Sequence, residues 1–196
     1  MPRRECATIA VQMEIEIKLP FESASLARER LASIGAVEVE ARQFEDNVLF
    51  EREFQPLKPA KQLLRLRRMG PRSWLTYKAD VPGQHRHKIR EEHETPVEDP
   101  DAVGRILEGL GFHPSYRYQK YRTTYRLDQL VVCLDETPLG CFVELEGSDR
   151  DIDRAAALLG RGPEQYVTLS YRQLHEAAAG GEGAEPGDMV FDGEAV

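Results

Sequence analysis

Charged and hydrophobic residues alternate along much of the chain. In the segment 14–18, Glu-Ile-Glu-Ile-Lys, every second residue is charged, and the same period of two recurs in later segments. Successive side chains of a β-strand point to opposite faces, so this period predicts strands with one charged face and one apolar face. The predicted strands cover residues 14–18, 46–50, 64–67, 74–78, 88–94, 120–126, 131–135 and 142–146.

Four other segments have the apolar spacing and the boundary residues of helices. Segment 23–34 begins with a serine and stops at a glycine, and segment 99–110 begins with Asp-Pro and also stops at a glycine. These are favoured residues for helix starts and ends. The other two predicted helices cover 151–159 and 165–178. Helices mixed with strands that turns connect predict an α+β domain with a mostly antiparallel sheet.

The two ends of the chain lack these patterns. Residues 177–196 are rich in Ala, Gly and acidic residues, contain no Lys or Arg, and show no apolar period, which predicts a disordered acidic tail. Residues 1–12 have only a short apolar stretch, too weak for a signal peptide, and are predicted to be a flexible arm. The predicted catalytic domain therefore covers residues 13–176.

Composition narrows the classes of function. The 196-residue chain has a net charge of −8, which argues against a general nucleic-acid binder. No apolar run approaches the roughly 20 residues that span a bilayer, so we expect no membrane association. Cys6, Cys133 and Cys141 lack the spacing of a metal site and are typical of reduced thiols in a cytoplasmic protein.

The charged faces of the predicted strands separate acids from bases. Glutamates dominate the first and last strands, whereas Arg and Lys dominate the middle ones. An open sheet with one face in water would also alternate charged and apolar residues, although it would mix the two signs more evenly. If the sheet closes, its charged face must pair internally or hold ions. The segregation favours an ion-binding interior, but periodicity alone does not show closure.

The order of these charged residues resembles that of a known family. The segment Glu14-Ile-Glu16-Ile-Lys18 resembles the ExExK signature of the CYTH superfamily, also called triphosphate tunnel metalloenzymes. The resemblance extends over roughly residues 13–175. Segments 134–140, 142–146 and 170–171 are most similar to the class IV adenylyl cyclase branch. The later charged residues follow the family's order: Arg65, Arg67, Lys78, Arg90, Glu92, Lys120, Arg122, Asp135, Glu144 and Glu146.

The resemblance implies a closed, eight-stranded antiparallel β-barrel, a triphosphate tunnel with helices packed outside. It implies two bound Mg²⁺ or Mn²⁺ ions, held by Glu14, Glu16, Glu144 and Glu146. The implied triphosphate ligands are Lys18, Arg65, Arg67, Lys78, Arg90, Lys120, Arg122 and, more weakly, Arg126. The implied catalytic residues are Glu14, Glu16, Lys18, Glu92 and Asp135, and Glu92 and Glu94 would orient the basic residues or position water.

Several functions remain open at this stage. The resemblance favours conversion of ATP to cyclic AMP and pyrophosphate, with hydrolysis of tripolyphosphate, thiamine triphosphate or a nucleoside triphosphate as the alternative. A non-catalytic polyphosphate-binding module is a third possibility, but its affinity would suffer from so many acidic residues. The expected partner is a small molecule that carries a triphosphate, and the protein is expected to be a monomer or a homodimer.

Some residues that could carry function are interpreted as structural. His85, His87 and His93 have no further ligand to complete a zinc site. Within the implied fold, Tyr121 and Tyr125 are expected to pack under the outer helices, and Trp74 is expected to be a packing residue.

Overall fold

The computed structural model describes residues 12–83, 85–180 and 186–193. Its strands are β1 Gln12–Phe21, β2 Val37–Glu51, β3 Gln62–Met69, β4 Arg72–Asp80, β5 Lys88–Pro96, β6 His113–Leu127, β7 Leu130–Thr137 and β8 Gly140–Glu146. Its helices are α1 Ala24–Ser33, α2 Pro100–Gly109, α3 Asp149–Leu158 and α4 Tyr171–Ala179. Each predicted strand and helix is present. Among the described residues, no helix has the length and apolar character needed to cross a membrane.

Helix α4 begins later than the sequence predicted. A short 3₁₀ helix, Pro163–Gln165, occupies the start of the predicted segment. The chain then becomes extended until Ser170, whose side chain accepts a hydrogen bond from the backbone N–H of Gln173. The Gln173 side chain in turn accepts a hydrogen bond from the backbone N–H of Ser170. This capping box fixes the start of α4 at Tyr171.

The eight strands form a closed barrel in the order β1-β5-β4-β3-β2-β6-β7-β8, and all neighbouring pairs are antiparallel. Strand β1 closes the barrel because its first half pairs with β5 and its second half pairs with β8. The α+β fold class and the closed eight-stranded barrel that the sequence predicted are therefore confirmed.

The main hydrophobic core lies between the outer face of the barrel and the helices. Ile17 and Leu19 of β1 and Leu145 of β8 are fully buried there, together with Ile152 of α3. Tyr125 packs into the same cluster, as expected. Because strand side chains alternate, this arrangement leaves the opposite, charged face of each strand for the barrel interior.

The tail differs from its prediction. Residues 177–179 belong to α4, and Met189 forms a parallel β-bridge with Tyr118 of β6. The expectation of disorder is therefore wrong for 177–180 and 186–193, while 181–185 and 194–196 lie outside the described residues. The reason is an open edge, since β7 pairs only with residues 121–127 of β6. Residues 1–11 of the predicted arm also lie outside the described residues, and Gln12 already belongs to β1.

Candidate active site

Strand register brings the predicted charged residues together inside the barrel. Residues directly opposite each other on antiparallel strands share a face. On this basis Lys18 lies beside Glu144, Glu16 beside Glu146, and Lys78 beside Glu92. The basic residues that line the interior are Lys18, Arg65, Arg67, Lys78, Lys88, Arg90, Lys120 and Arg122, and the acidic ones are Glu14, Glu16, Glu45, Glu92, Glu94, Asp135, Glu144 and Glu146. The interior is therefore close to charge-balanced.

Acidic residues cluster around the paired ends of β1 and β8. Burial and the neighbouring carboxylates of Glu14, Glu16 and Glu92 together raise the pKa of Glu146 to about 7, against the opposing effect of Lys78. A carboxyl group whose pKa is raised by three like charges marks a place with surplus negative charge. This surplus suits a divalent cation.

Lysines hold these carboxylates in the structure. The Nζ atom of Lys78 lies 2.5 Å from Glu14, and that of Lys88 lies 2.7 Å from Glu16. Lys18 lies 3.1 Å from Glu16 and 3.2 Å from Glu144. Burial lowers the pKa of Lys18, but Glu144 and Glu16 outweigh it and raise the pKa above its ordinary value. Lys18 therefore stays charged.

The carboxylates are chemically suited to a metal but are not preassembled as ligands. Hard oxygen donors are what Mg²⁺ and Mn²⁺ prefer. Among the described residues, however, no group of three or more His, Cys, Asp or Glu side chains is arranged to hold a metal ion. A metal bound by Glu14, Glu16, Glu144 and Glu146 would take the place of the lysines that pair with the first three, so the site fits a metal ion only after the side chains rearrange.

Basic residues dominate the wall formed by β3 and β6. Arg65 donates hydrogen bonds to the hydroxyl groups of Tyr118 and Thr76, both at 3.3 Å. Arg67 donates to Glu94 at 3.0 Å, and its guanidinium carbon lies 4.7 Å from the centre of the Trp74 ring. Glu94 thus pairs with Arg67, and Trp74 packs against the same guanidinium group within the barrel.

Asp135 anchors the two basic residues of β6. It accepts hydrogen bonds from Lys120 at 2.8 Å and from Arg122 at 2.6 Å. It also accepts one at 2.7 Å from the hydroxyl group of Tyr171, the first residue of α4. The Tyr171 ring lies 5.3 Å from the Nζ atom of Lys18 and 5.2 Å from that of Lys120. Helix α4 therefore contributes a side chain to the interior.

Sequence reasoning missed several interior residues, among them Glu45, Asn47, Lys88 and Tyr118. Glu45 precedes the predicted strand 46–50 by one residue, and its side chain is 0% exposed. Burial raises its pKa, but Lys120, Arg122 and Arg67 outweigh this effect and lower the pKa to about 2. Extending the alternation of β2 by one residue would have found Glu45, because it shares a face with Asn47.

Three of the predicted residues have surroundings that differ from those of the interior network. Arg126 is exposed near the end of β6, so the structure does not bring it into the interior network. Arg122, four residues earlier, is therefore the last cation of β6 inside the barrel; four residues span roughly 13 Å of strand. Arg90 is buried, with its Nε atom 2.9 Å from Asp80 on β4. Tyr121 packs against Phe44 and against Phe191 of the tail, rather than under the helices as expected.

The protein is therefore an antiparallel eight-stranded barrel whose interior is lined with ionisable side chains. A family model for the CYTH domain matches residues 12–161. The chain therefore belongs to the CYTH domain family, as the sequence predicted.

Several solved structures share this fold. PH1012 from Pyrococcus horikoshii OT3 is 24% identical, with a TM-score of 0.68 over 81% of this chain and 96% of that one. A "putative adenylate cyclase" from Vibrio parahaemolyticus is 17% identical, with a TM-score of 0.71 over 84% and 98%. HpAC1 from Hippeastrum, described as a "putative adenylyl cyclase" with a dominant triphosphatase activity, is 19% identical, with a TM-score of 0.60 over 86% and 96%. None of the curated proteins compared with the chain matches it.

Proposed function

We propose that this protein is a divalent-metal-dependent enzyme that processes a triphosphate-bearing substrate inside the barrel. The observation that carries the proposal is the pair Arg65 and Arg67, each with a buried Nε–H group that has no hydrogen-bond partner among the described residues. A buried donor without an acceptor is costly. Phosphate oxygens are strong acceptors, and guanidinium groups bind them in a forked geometry.

The charge balance of the interior supports a role for metal. A triphosphate brings several negative charges into a space where acids and bases already offset each other. Binding it there without a counter-cation would bury uncompensated charge. The glutamates at the ends of β1 and β8, namely Glu14, Glu16, Glu144 and Glu146, would hold the ion. When bound, it would supply positive charge to the phosphate oxygens.

The residues of the chain have separate tasks in this mechanism. Arg65, Arg67, Lys120 and Arg122 contact the phosphate oxygens and stay charged throughout. Asp135 keeps the cations of β6 in place, and Glu94 does the same for Arg67 through the hydrogen bond described above. Such fixed charges need no reorganisation as negative charge shifts during phosphoryl or nucleotidyl transfer. Lys18 lies between the acidic residues and the basic residues. Lys18 and Glu92 are the remaining residues of the proposed catalytic machinery.

Two reactions use this machinery. Cyclisation of ATP needs the ribose 3′-hydroxyl group to attack the α-phosphorus atom, with pyrophosphate leaving. Hydrolysis needs water to attack a phosphorus atom of tripolyphosphate, thiamine triphosphate or a nucleotide. The similarity of segments 134–140 and 142–146 to class IV cyclases favours cyclisation. The triphosphatase activity named for the Hippeastrum protein favours hydrolysis as the second candidate.

Product analysis separates these reactions. The protein is incubated with ATP, tripolyphosphate or thiamine triphosphate, in Mg²⁺ and then in Mn²⁺, and the products are resolved by chromatography. Cyclic AMP with pyrophosphate identifies a cyclase, whereas orthophosphate with ADP or pyrophosphate identifies a hydrolase. Binding of tripolyphosphate with no product from any substrate would identify a non-catalytic module and refute the proposal.

A further inference from the structure

Two polar side chains on the interior face of β2 are buried without hydrogen-bond partners. Glu45 and Asn47 are both 0% exposed. Neither carboxylate oxygen of Glu45 and neither side-chain amide atom of Asn47 has a hydrogen-bond partner among the described residues. Such groups are rare in folded proteins because each forfeits its hydrogen bonds to water. Two of them, two residues apart on one strand, therefore point to a polar molecule that binds between them.

Glu45 and Asn47 lie next to the wall of basic residues formed by β3 and β6. The carboxylate oxygens of Glu45 lie 3.5 Å from the Nζ atom of Lys120, 3.8 Å from a guanidinium nitrogen of Arg67 and 3.9 Å from Arg122. Asn47 stands opposite Arg67 on β3 and opposite Tyr118 on β6. A phosphoryl group held by these cations would therefore lie next to the Glu45 and Asn47 side chains.

The hydrogen-bonding chemistry of Glu45 and Asn47 indicates which polar molecule binds between them. An ionised carboxylate only accepts hydrogen bonds, so it cannot bond directly to a fully ionised phosphate oxygen. Its low pKa keeps Glu45 ionised at neutral pH. Water can donate to Glu45 and, whichever way the amide is turned, can also bond to Asn47. A water bound in this way presents its lone pairs to the neighbouring phosphorus atom.

We propose that Glu45 and Asn47 hold the attacking water of a triphosphate hydrolysis reaction. This inference rests on the function proposed above and specifies its reaction. The water oxygen bonds to the terminal phosphorus atom, and the bond from that atom to the bridging oxygen breaks with its electron pair leaving on the diphosphate. One water proton stays on the new orthophosphate oxygen, and the other moves to a second phosphoryl oxygen. Tripolyphosphate thus gives pyrophosphate and dihydrogen phosphate.

Two variants with opposite structural effects test the role. Glu45→Gln keeps the shape but removes the charge that attracts three cations, so the ligand-free protein should lose stability. Asn47→Leu removes a buried amide without a partner, so the ligand-free protein should be as stable or more stable. Both should lower the rate of the chemical step by at least ~100-fold, because both release the water. Glu176→Gln is the control, since Glu176 is buried outside the barrel, where it pairs with Lys58.

Single-turnover kinetics with Mg²⁺, tripolyphosphate and excess protein give the rate and the affinity separately. The inference expects a lower plateau rate in both variants, with affinity equal or tighter, and no change in the control. A plateau rate at the wild-type value in either variant would overturn the inference. Tighter binding of tripolyphosphate by Glu45→Gln without loss of rate would also overturn it, because that result is expected if Glu45 is only a counter-ion to the neighbouring cations. If the wild-type protein gives only cyclic AMP from ATP and no orthophosphate, the inference fails and the proposed function stands. If calorimetry shows no binding of tripolyphosphate, both fail.

Discussion

Replacing Met189 by alanine tests whether the C-terminal segment is a structural part of the barrel. Met189 is 2% exposed and packs in one cluster with Tyr118, Phe142 and Tyr171. Its backbone exchanges two hydrogen bonds of 2.9 Å with β6, one from Gln119 and one to Arg117. The substitution removes most of the buried side chain and leaves the backbone bonds in place.

The size of the effect follows from this burial. Replacing a buried methionine by alanine costs about 2–5 kcal/mol when the surroundings cannot collapse. The segment can also detach as a unit, so its own docking free energy limits the loss, and we expect about 2 kcal/mol. For a domain of this size, each kcal/mol shifts Tm by roughly 2–4 °C. The expected decrease in Tm is therefore about 4–8 °C.

Thermal denaturation followed by circular dichroism measures this shift. Met13→Ala is the control, because Met13 is 47% exposed and should change Tm by less than about 1 °C. A chain that ends at Gly180 should lose about as much stability as Met189→Ala. If the Tm of Met189→Ala equals that of the control variant, the segment contributes nothing to stability and the reasoning is refuted. Since Met189 belongs to the same cluster as Tyr171, which donates a hydrogen bond to Asp135, the variant should also lower kcat.

Three further predictions follow from the interior charges. Glu16→Gln or Glu144→Gln should reduce turnover by at least ~100-fold, and chelation by EDTA should abolish it; turnover by metal-free protein would contradict the assignment. Arg65→Ala and Lys120→Ala should raise KM and lower kcat, and Lys120→Ala should also lower Tm, because Glu45 loses a buried counter-ion. The pKa of Glu45 is about 2 when folded against an ordinary 4.5, so its contribution to stability should be complete above pH 4.5 and vanish as the pH falls towards 2. The Tm difference between wild type and Glu45→Gln should shrink over that interval, and a constant difference would exclude this linkage.

The sequence by itself determined which side chains share a face. The alternation in 14–18 is enough to place Glu14, Glu16 and Lys18 together, and the same rule pairs Glu144 with Glu146. This information is local, because the pleat of a strand fixes the direction of each side chain whatever its neighbours are. The resemblance to the CYTH family then supplied the barrel that the alternation could not show.

Only the tertiary structure decided which of these residues meet. The alternation of β2 places Glu45 on the face of Asn47, but only the tertiary structure places it beside Lys120 and Arg122, which lie far away along the chain. Arg126 has the favoured residue type, yet it is exposed near the end of β6.

The structure of the tail also depends on partners that its own sequence does not reveal. Its composition predicts disorder, because composition counts only the apolar groups that the segment itself carries. What orders residues 186–193 is an edge of β6 that β7 leaves unpaired, together with the apolar cluster that receives Met189. Partners distant in the chain supply the free energy that offsets the entropy of ordering the segment, and no local pattern reports on such partners.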